Sequence, residues 1–135
     1  MKNYKNRPRI FKNAWFTRFA VKEKISDAQL LEAVERAEKG LIDADLGGHI
    51  IKQRIARPGQ GKSGGYRSII IYKQGDKAFF VYGFAKNERD NLDRQETETY
   101  KKAAKELLAL SDAQIKKLIE KHALIEVKYE QQEEI

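Results

Sequence analysis

Residues 46–75 contain Lys52, Arg54, Arg57, Lys62, Arg67 and Lys73 and no acid. Side chains of these types are suited above all to gripping phosphate. Arginine offers a planar fork that can take two oxygens of one phosphate, and lysine supplies a compact point charge. Lys52 and Arg54 stand two apart in an alternating run, so they project from one face of a strand. Arg67 opens the next β-prone run, and Lys86 and Arg89 follow the one after it, in "FAKNERDN". If the three runs pair, these five groups meet on one face or rim, with Arg57 and Lys62 overhead. Clustered cations repel one another and favour a bound anion. The plainer alternative is a basic sheet face whose charges are simply solvated.

Other chemistry has weaker support. The ordinary pKa of His49 suits proton transfer, and its place after Gly47-Gly48 equally suits a loop hydrogen bond. His122, near a helix end, fits a helix-dipole partner. Asp90, Asp93 and Glu96 are spaced three apart, which invites a metal, yet acids at a helix start favour the dipole without one. "GQGKSGG" precedes a strand and not a helix, so it lacks the context of a nucleotide-binding loop. The chain has no cysteine, which excludes disulfides and thiolate metal sites.

The elements that must position the cations can be read from periodicity. Ile10-Phe11 suit a short edge strand. Phe11, Trp15 and Phe19 recur every fourth residue and predict a helix over about 13–24. Ser26 and Gln29 form a capping-box pattern ahead of Leu30, Val34, Ala37 and Leu41, with Gly40 as the stop. These two helices read as an antiparallel hairpin. "HIIKQRIAR", "YRSIIIYK" and "KAFFVYGFA" then read as three strands of an antiparallel meander. In the first, Ile51, Gln53 and Ile55 face one way and Lys52, Arg54 and Ala56 the other. The connection "RPGQGKSGG", with Pro58, Gly59, Gly61, Gly64 and Gly65, reads as a long flexible loop that lets backbone approach a ligand. A helix carrying Tyr100, Ala103, Ala104, Leu107 and Leu108 follows. A last helix starts at Ser111–Gln114, with Ile115, Leu118 and Ile119 as its apolar face, and an acidic tail ends the chain.

With 135 residues and a formal charge of +7, from 27 basic and 20 acidic side chains, the chain fits one basic domain. No apolar run is long enough to span a bilayer, and the N-terminal "MKNYKNRPRIF" lacks the apolar core of a secretory signal. The expectation is a cytoplasmic protein with no membrane association and an anionic partner.

"KSGGYRSIIIY" followed by "FFVYGFAKNER" resembles the RelE/HigB-type toxins of bacterial toxin–antitoxin pairs. Their S-G-Y-R segment opens one strand and their K-x-E-R segment follows the next. The resemblance covers about residues 10–110 of a single domain, 1–135, and leaves 111–135 outside its core. "GLIDADLGG", before the first central strand, makes it most similar to the HigB-type branch. The resemblance implies an α+β fold, RelE-like: a twisted, mainly antiparallel small sheet with helices on one side. It implies ribosome-dependent cleavage of messenger RNA by attack of a ribose 2′-OH on the adjacent phosphate, with no metal or cofactor. The implied partners are a cognate antitoxin, of the small helix-turn-helix kind, and the ribosome with its message.

Position by position, the resemblance assigns catalysis to Lys52, Arg54, Arg67, Lys86 and Arg89, and RNA contact to Arg57, Lys62 and Lys73. His49 stays a possible acid or base. Asn87 stands where the family often has an arginine, and Leu92 and Asp93 where it has a tyrosine; Tyr66 and Tyr82 are the strand tyrosines that could replace it. Two rivals stay open. One is a non-nucleolytic, ParE-like toxin acting on a protein such as gyrase; the other is a plain RNA-binding module.

Overall fold

Alternation and capping decide most of the elements. The computed structural model describes residues 7–57 and 61–129, but not the side chains of Arg57 and of residues 61–63. Its elements are β1 (Arg9–Asn13), α1 (Ala14–Glu23), α2 (Asp27–Glu38), β2 (Ala44–Gly47), β3 (Ile50–Arg57), β4 (Gly61–Lys73), β5 (Lys77–Ala85), α3 (Arg94–Leu108), α4 (Asp112–Glu120) and β6 (Leu124–Val127). Every helix begins where a side chain can satisfy free backbone N–H groups. Asn13 accepts from the Phe16 N–H at 2.7 Å, and Ser26–Gln29, Asp93–Glu96 and Ser111–Gln114 are complete capping boxes. The repeated "SDAQ" is therefore a start signal used twice.

The sheet order is β2-β3-β4-β5-β1-β6. β3, β4 and β5 form the expected antiparallel meander. β1 lies parallel to β5 and antiparallel to β6. Ile10-Phe11 are thus interior and not at an edge, because the C-terminal segment returns as β6. The α+β class and a mainly antiparallel sheet hold. Strands β2 and β6 are additions, each four residues long and too short to show a period in sequence.

Two expectations are corrected. Helices cover both faces of the sheet, not one. Phe16, Leu30 and Val34 pack with Ile51, Ile55, Ile70 and Phe80 on the first face; Ala104 and Ile115 pack with Phe11, Ile50, Ile69, Ile71 and Phe79 on the second. The cause lies in the strands. Ile69-Ile70-Ile71 and Phe79-Phe80-Val81 are apolar at consecutive positions, which point to opposite faces, so both faces need a cover. α1 docks chiefly on β5 and β1, and α2 on β3.

The glycine-rich stretch is also largely strand and not loop. β4 already begins at Gly61, opposite Arg57. Backbone pairing to its neighbours overrides the weak strand preference of glycine. Only residues 58–60 separate β3 from β4; with Pro58 and Gly59 they lie outside the described residues. Among the described residues, no helix is long and apolar enough to cross a membrane.

One buried polar side chain locks β3 in place. Gln53 is 0 % exposed and faces α2 between Ile51 and Ile55. It donates to the carbonyls of Ala33 (2.9 Å) and Leu41 (3.2 Å) and accepts from the Asp43 N–H (2.7 Å). Replacing it by leucine would take a partner from the Leu41 carbonyl and the Asp43 N–H of the α2–β2 connection and remove the buried bond to the Ala33 carbonyl. Gln53→Leu is expected to cost about 2–3 kcal/mol of stability, read from urea unfolding; an unchanged midpoint would show that this network holds nothing.

Candidate functional site

The register of β3 on β4 sets Arg54 directly opposite Arg67, and that of β4 on β5 sets Arg67 opposite Phe84. Lys52 lies one step along the same face, opposite Ile69. Farther along, Ile50, Ile69 and Ile71 are sealed by the α3 side of the core. A row of two arginines and a phenylalanine, flanked by a lysine, therefore ends the covered face.

Arg67 is the unusual member. It is only 8 % exposed, and its one side-chain hydrogen bond among the described residues is a 3.4 Å donation to the Tyr66 carbonyl. No carboxylate pairs with it among those residues. Burial, and then the charge of Arg54, weaken its hold on the proton relative to an ordinary arginine; guanidinium nonetheless stays charged in proteins. Two like charges face each other across a ladder here, an arrangement that is unfavourable unless something negative intervenes.

Arg54 is better compensated. Asp43, just before β2, accepts from the Arg54 backbone N–H at 2.7 Å and lies 3.4 Å from both the Arg54 and Arg36 guanidinium groups. Burial would raise the pKa of Asp43, but these bonds and charges outweigh it and hold the carboxyl below its usual range. The Lys52 ammonium donates to the Asp90 carbonyl at 3.2 Å and to the Asn91 side-chain oxygen. It thereby ties the loop after β5 to the site.

Lys86 and Arg89 lie on that loop with different fates. The Lys86 backbone N–H donates to the Gly65 carbonyl at 3.1 Å, which brings Lys86 to the Arg67 end of β4 with an exposed side chain. Arg89 is committed instead. It binds both carboxylate oxygens of Glu96 (2.6 and 3.2 Å) and donates to the Tyr82 hydroxyl at 3.3 Å. Its guanidinium lies 5.3 Å from the Phe84 ring centroid and 5.8 Å from that of Tyr82. The Arg89 bond, followed by the Asp93 N–H of the capping box, holds the Glu96 carboxyl below its usual range. Arg89 thus joins the site's aromatic wall to the start of α3, and Asp93 and Glu96 serve helix capping.

A β-bulge builds that wall. Ile69 pairs with Tyr82 but Ile70 with Phe80, so Val81 is the extra residue. Beyond the bulge Tyr82 and Phe84 take the Arg67 face, where strict alternation from Phe79 would have sent Gly83 and Ala85. Gly83 now faces α1, where an added Cβ would come within 2.6 Å of the Phe19 ring. The two strand tyrosines separate accordingly. Tyr66 is buried on the opposite face and donates to Glu23 at 2.8 Å, whereas Tyr82 stands beside the cations.

His49 and Lys73 are not part of this row. His49 lies five residues from Arg54 and Lys73 six from Arg67, about 16 and 20 Å at the usual strand rise. The side chains expected of Arg57 and Lys62 lie outside the described residues. Asp43, Asn91 and Phe84 were missed in the sequence, since each acts through a partner that only the fold supplies; Glu96 was read as an acid at a helix start, which it is, but its bond from Arg89 was not.

Compared with protein families, the chain matches over residues 8–127 the family described as "RelE toxin of RelE / RelB toxin-antitoxin system". Among curated proteins, none matches it. The matched span takes in α4 and β6.

Asp43, Glu96 and Glu126, the last through its bond from Arg9, all have folded-state pKa values below their ordinary ones. The folded chain then binds fewer protons than the unfolded chain in the acid range. Their stabilisation is complete above the ordinary carboxylate pKa and disappears as pH falls through the lowered values. Urea midpoints should stay level from neutral pH to about 5 and drop below about 4.5, with a shallower drop in Glu126→Gln; equal drops in both proteins would remove Glu126 from this account.

Proposed function

The chain belongs to the RelE toxin family, and from that premise we propose that this toxin cleaves translated messenger RNA at the Arg54–Arg67 row. As a RelE-type toxin it has a cognate antitoxin as partner. The observation that carries the proposal is Arg67: a nearly buried guanidinium with no carboxylate paired to it among the described residues, opposite a second arginine. A phosphate seated there would relieve the repulsion and satisfy the fork.

In the proposed reaction a ribose 2′-oxygen attacks the adjacent phosphorus. The O2′–P bond forms as the 2′-OH proton passes to solvent, the P–O5′ bond breaks as O5′ takes a proton from solvent, and the products are a 2′,3′-cyclic phosphate and a 5′-hydroxyl. Arg67 donates to the non-bridging oxygens and stabilises the extra charge of the pentacoordinate transition state. The Lys52 ammonium is already fixed by two oxygen acceptors, so it acts as a positioned charge. Arg54 and Lys86 complete the electrostatic cradle, and Tyr82 and Phe84 give a flanking nucleotide an apolar wall. Arg89 positions that wall through Glu96. The ribosome would present the message in the in-line geometry that the site does not impose by itself.

One observation favours a second reading. With Arg89 neutralised by Glu96 and asparagine at position 87, the free cations are fewer than the resemblance implies. The same face could then block a protein target such as gyrase without cutting RNA.

Cell-free translation with added protein, followed by primer extension, separates the two. Ribosome-dependent message ends are expected, and Arg67→Ala should reduce their rate by roughly 10²–10³-fold. Arg67→Lys should recover little, because a point charge cannot replace the fork. Intact message together with inhibited DNA supercoiling would overturn the nuclease reading.

A further inference from the structure

His49 and Lys73, both singled out in the sequence, are brought together at the far end of β3 and β4. They line a cavity of about 520 Å³ with Lys101, Lys102 and Lys105 of α3, where Glu98 is the single acid. Positions 98, 101, 102 and 105 fall on one helical face, so α3 turns a lysine-rich stripe towards the strand ends. Ala104 and Leu108 also border the cavity.

The turn before β3 is shaped to let that stripe in. Gly47, Gly48 and His49 have φ of 83°, 58° and 66°, three left-handed residues in a row. A Cβ at Gly48 would lie 2.6 Å from Lys101 Cγ, so the bare glycine lets the lysine stem cross the turn. A non-glycine residue with positive φ is uncommon, and His49 is held there by its neighbours. Its Nδ1 lies 3.3 Å from the Tyr72 carbonyl, and its own carbonyl accepts from the Tyr72 N–H at 2.8 Å. The imidazole is thereby fixed at the groove's rim. Of the four lysines only Lys101 has a carboxylate partner among the described residues, Glu98 at 3.6 Å. Four ammonium groups around one carboxylate make this a concave anion site.

We infer that this groove holds a second phosphate of the same RNA strand that is cut at the Arg67 row. The inference rests on the RNA reading above and extends it. Arg67 and Lys73 stand on one strand about 20 Å apart. At about 3.4 Å per nucleotide of a stacked strand, that span corresponds to about six nucleotides. The sheet face between them lies under α3, so the connecting strand passes around that helix, and about six nucleotides is the least that can join the two sites. The groove therefore sets a minimum length for tight binding and plays no part in bond cleavage.

The test uses the full chain and fluorescent single-stranded RNAs of 4 and 12 nucleotides, 2′-O-methylated so that they cannot be cut. Binding is followed by anisotropy over a salt series, and circular dichroism verifies folding. Lys73→Gln/Lys102→Gln removes two exposed ammonium groups that take no part in the core. The 12-mer is expected to bind roughly tenfold more weakly to this variant, with a log–log salt slope shallower by about 0.7, one phosphate contact's worth. The 4-mer should bind both proteins alike. Unchanged 12-mer binding, or equal weakening of both lengths, would overturn the inference while leaving the Arg67 site standing. A wild-type chain that binds neither RNA would overturn this inference, which needs direct contact with the strand, whereas the message-end assay above decides the ribosome-dependent reading.

Discussion

The registration of β3 against β4 is the constraint from which the rest of the molecule follows. A slip of one residue would turn Arg54 and Lys52 into the α2 side of the core and Gln53 out of it. The pins that prevent this sit on the face opposite the cations. Gln53 bonds three backbone groups of α2 and the α2–β2 connection, and Ser68 Oγ donates to the Gln53 carbonyl at 2.9 Å. Buried hydrogen bonds on one side of the sheet thus hold two arginines face to face on the other.

That confrontation is tolerated because the compensation is local and incomplete. Asp43 pairs with Arg54 and Arg36 and reaches Arg67 only through its longer-range charge, so Arg67 has no ion pair among the described residues. Like charges opposite each other in a ladder cost of order 1 kcal/mol or less. A core that includes Phe11, Phe16, Phe79 and Phe80, all fully buried, offsets that easily. The strain of the site is therefore small compared with the packing beneath it, and a bound anion would remove it.

The loop after β5 shows how one cation can pass from chemistry to architecture. Arg89 lies in the family-like segment, yet Glu96 takes its charge and the α3 capping box takes Glu96. What Arg89 does there is hold Tyr82 and Phe84 against the start of α3. The bulge at Val81 has the same purpose at the backbone level, since it decides which aromatic rings share a face with Arg67.

Much of this was legible in the chain. Local rules fix the helix starts at Ser26 and Ser111, the β3–β4–β5 meander, the alternation of Gln53 against Lys52 and Arg54, and the cationic character of one face, because capping and side-chain period involve only near neighbours. The family match agrees with the resemblance of the Y-R and K-x-E-R segments. The helices on both faces, the interior place of β1, the short β2 and β6, and the strand character of Gly61–Gly65 depend on partners distant in sequence. So does the sorting of the cations. Arg67, Arg54 and Lys52 meet because two strands pair in one register; Arg89 is neutralised because α3 begins where it does; His49 and Lys73 are carried to the other end because a strand is a ruler of about 3.3 Å per residue. Residue types determined which charges this protein carries, and tertiary pairing alone determined which of them stand together.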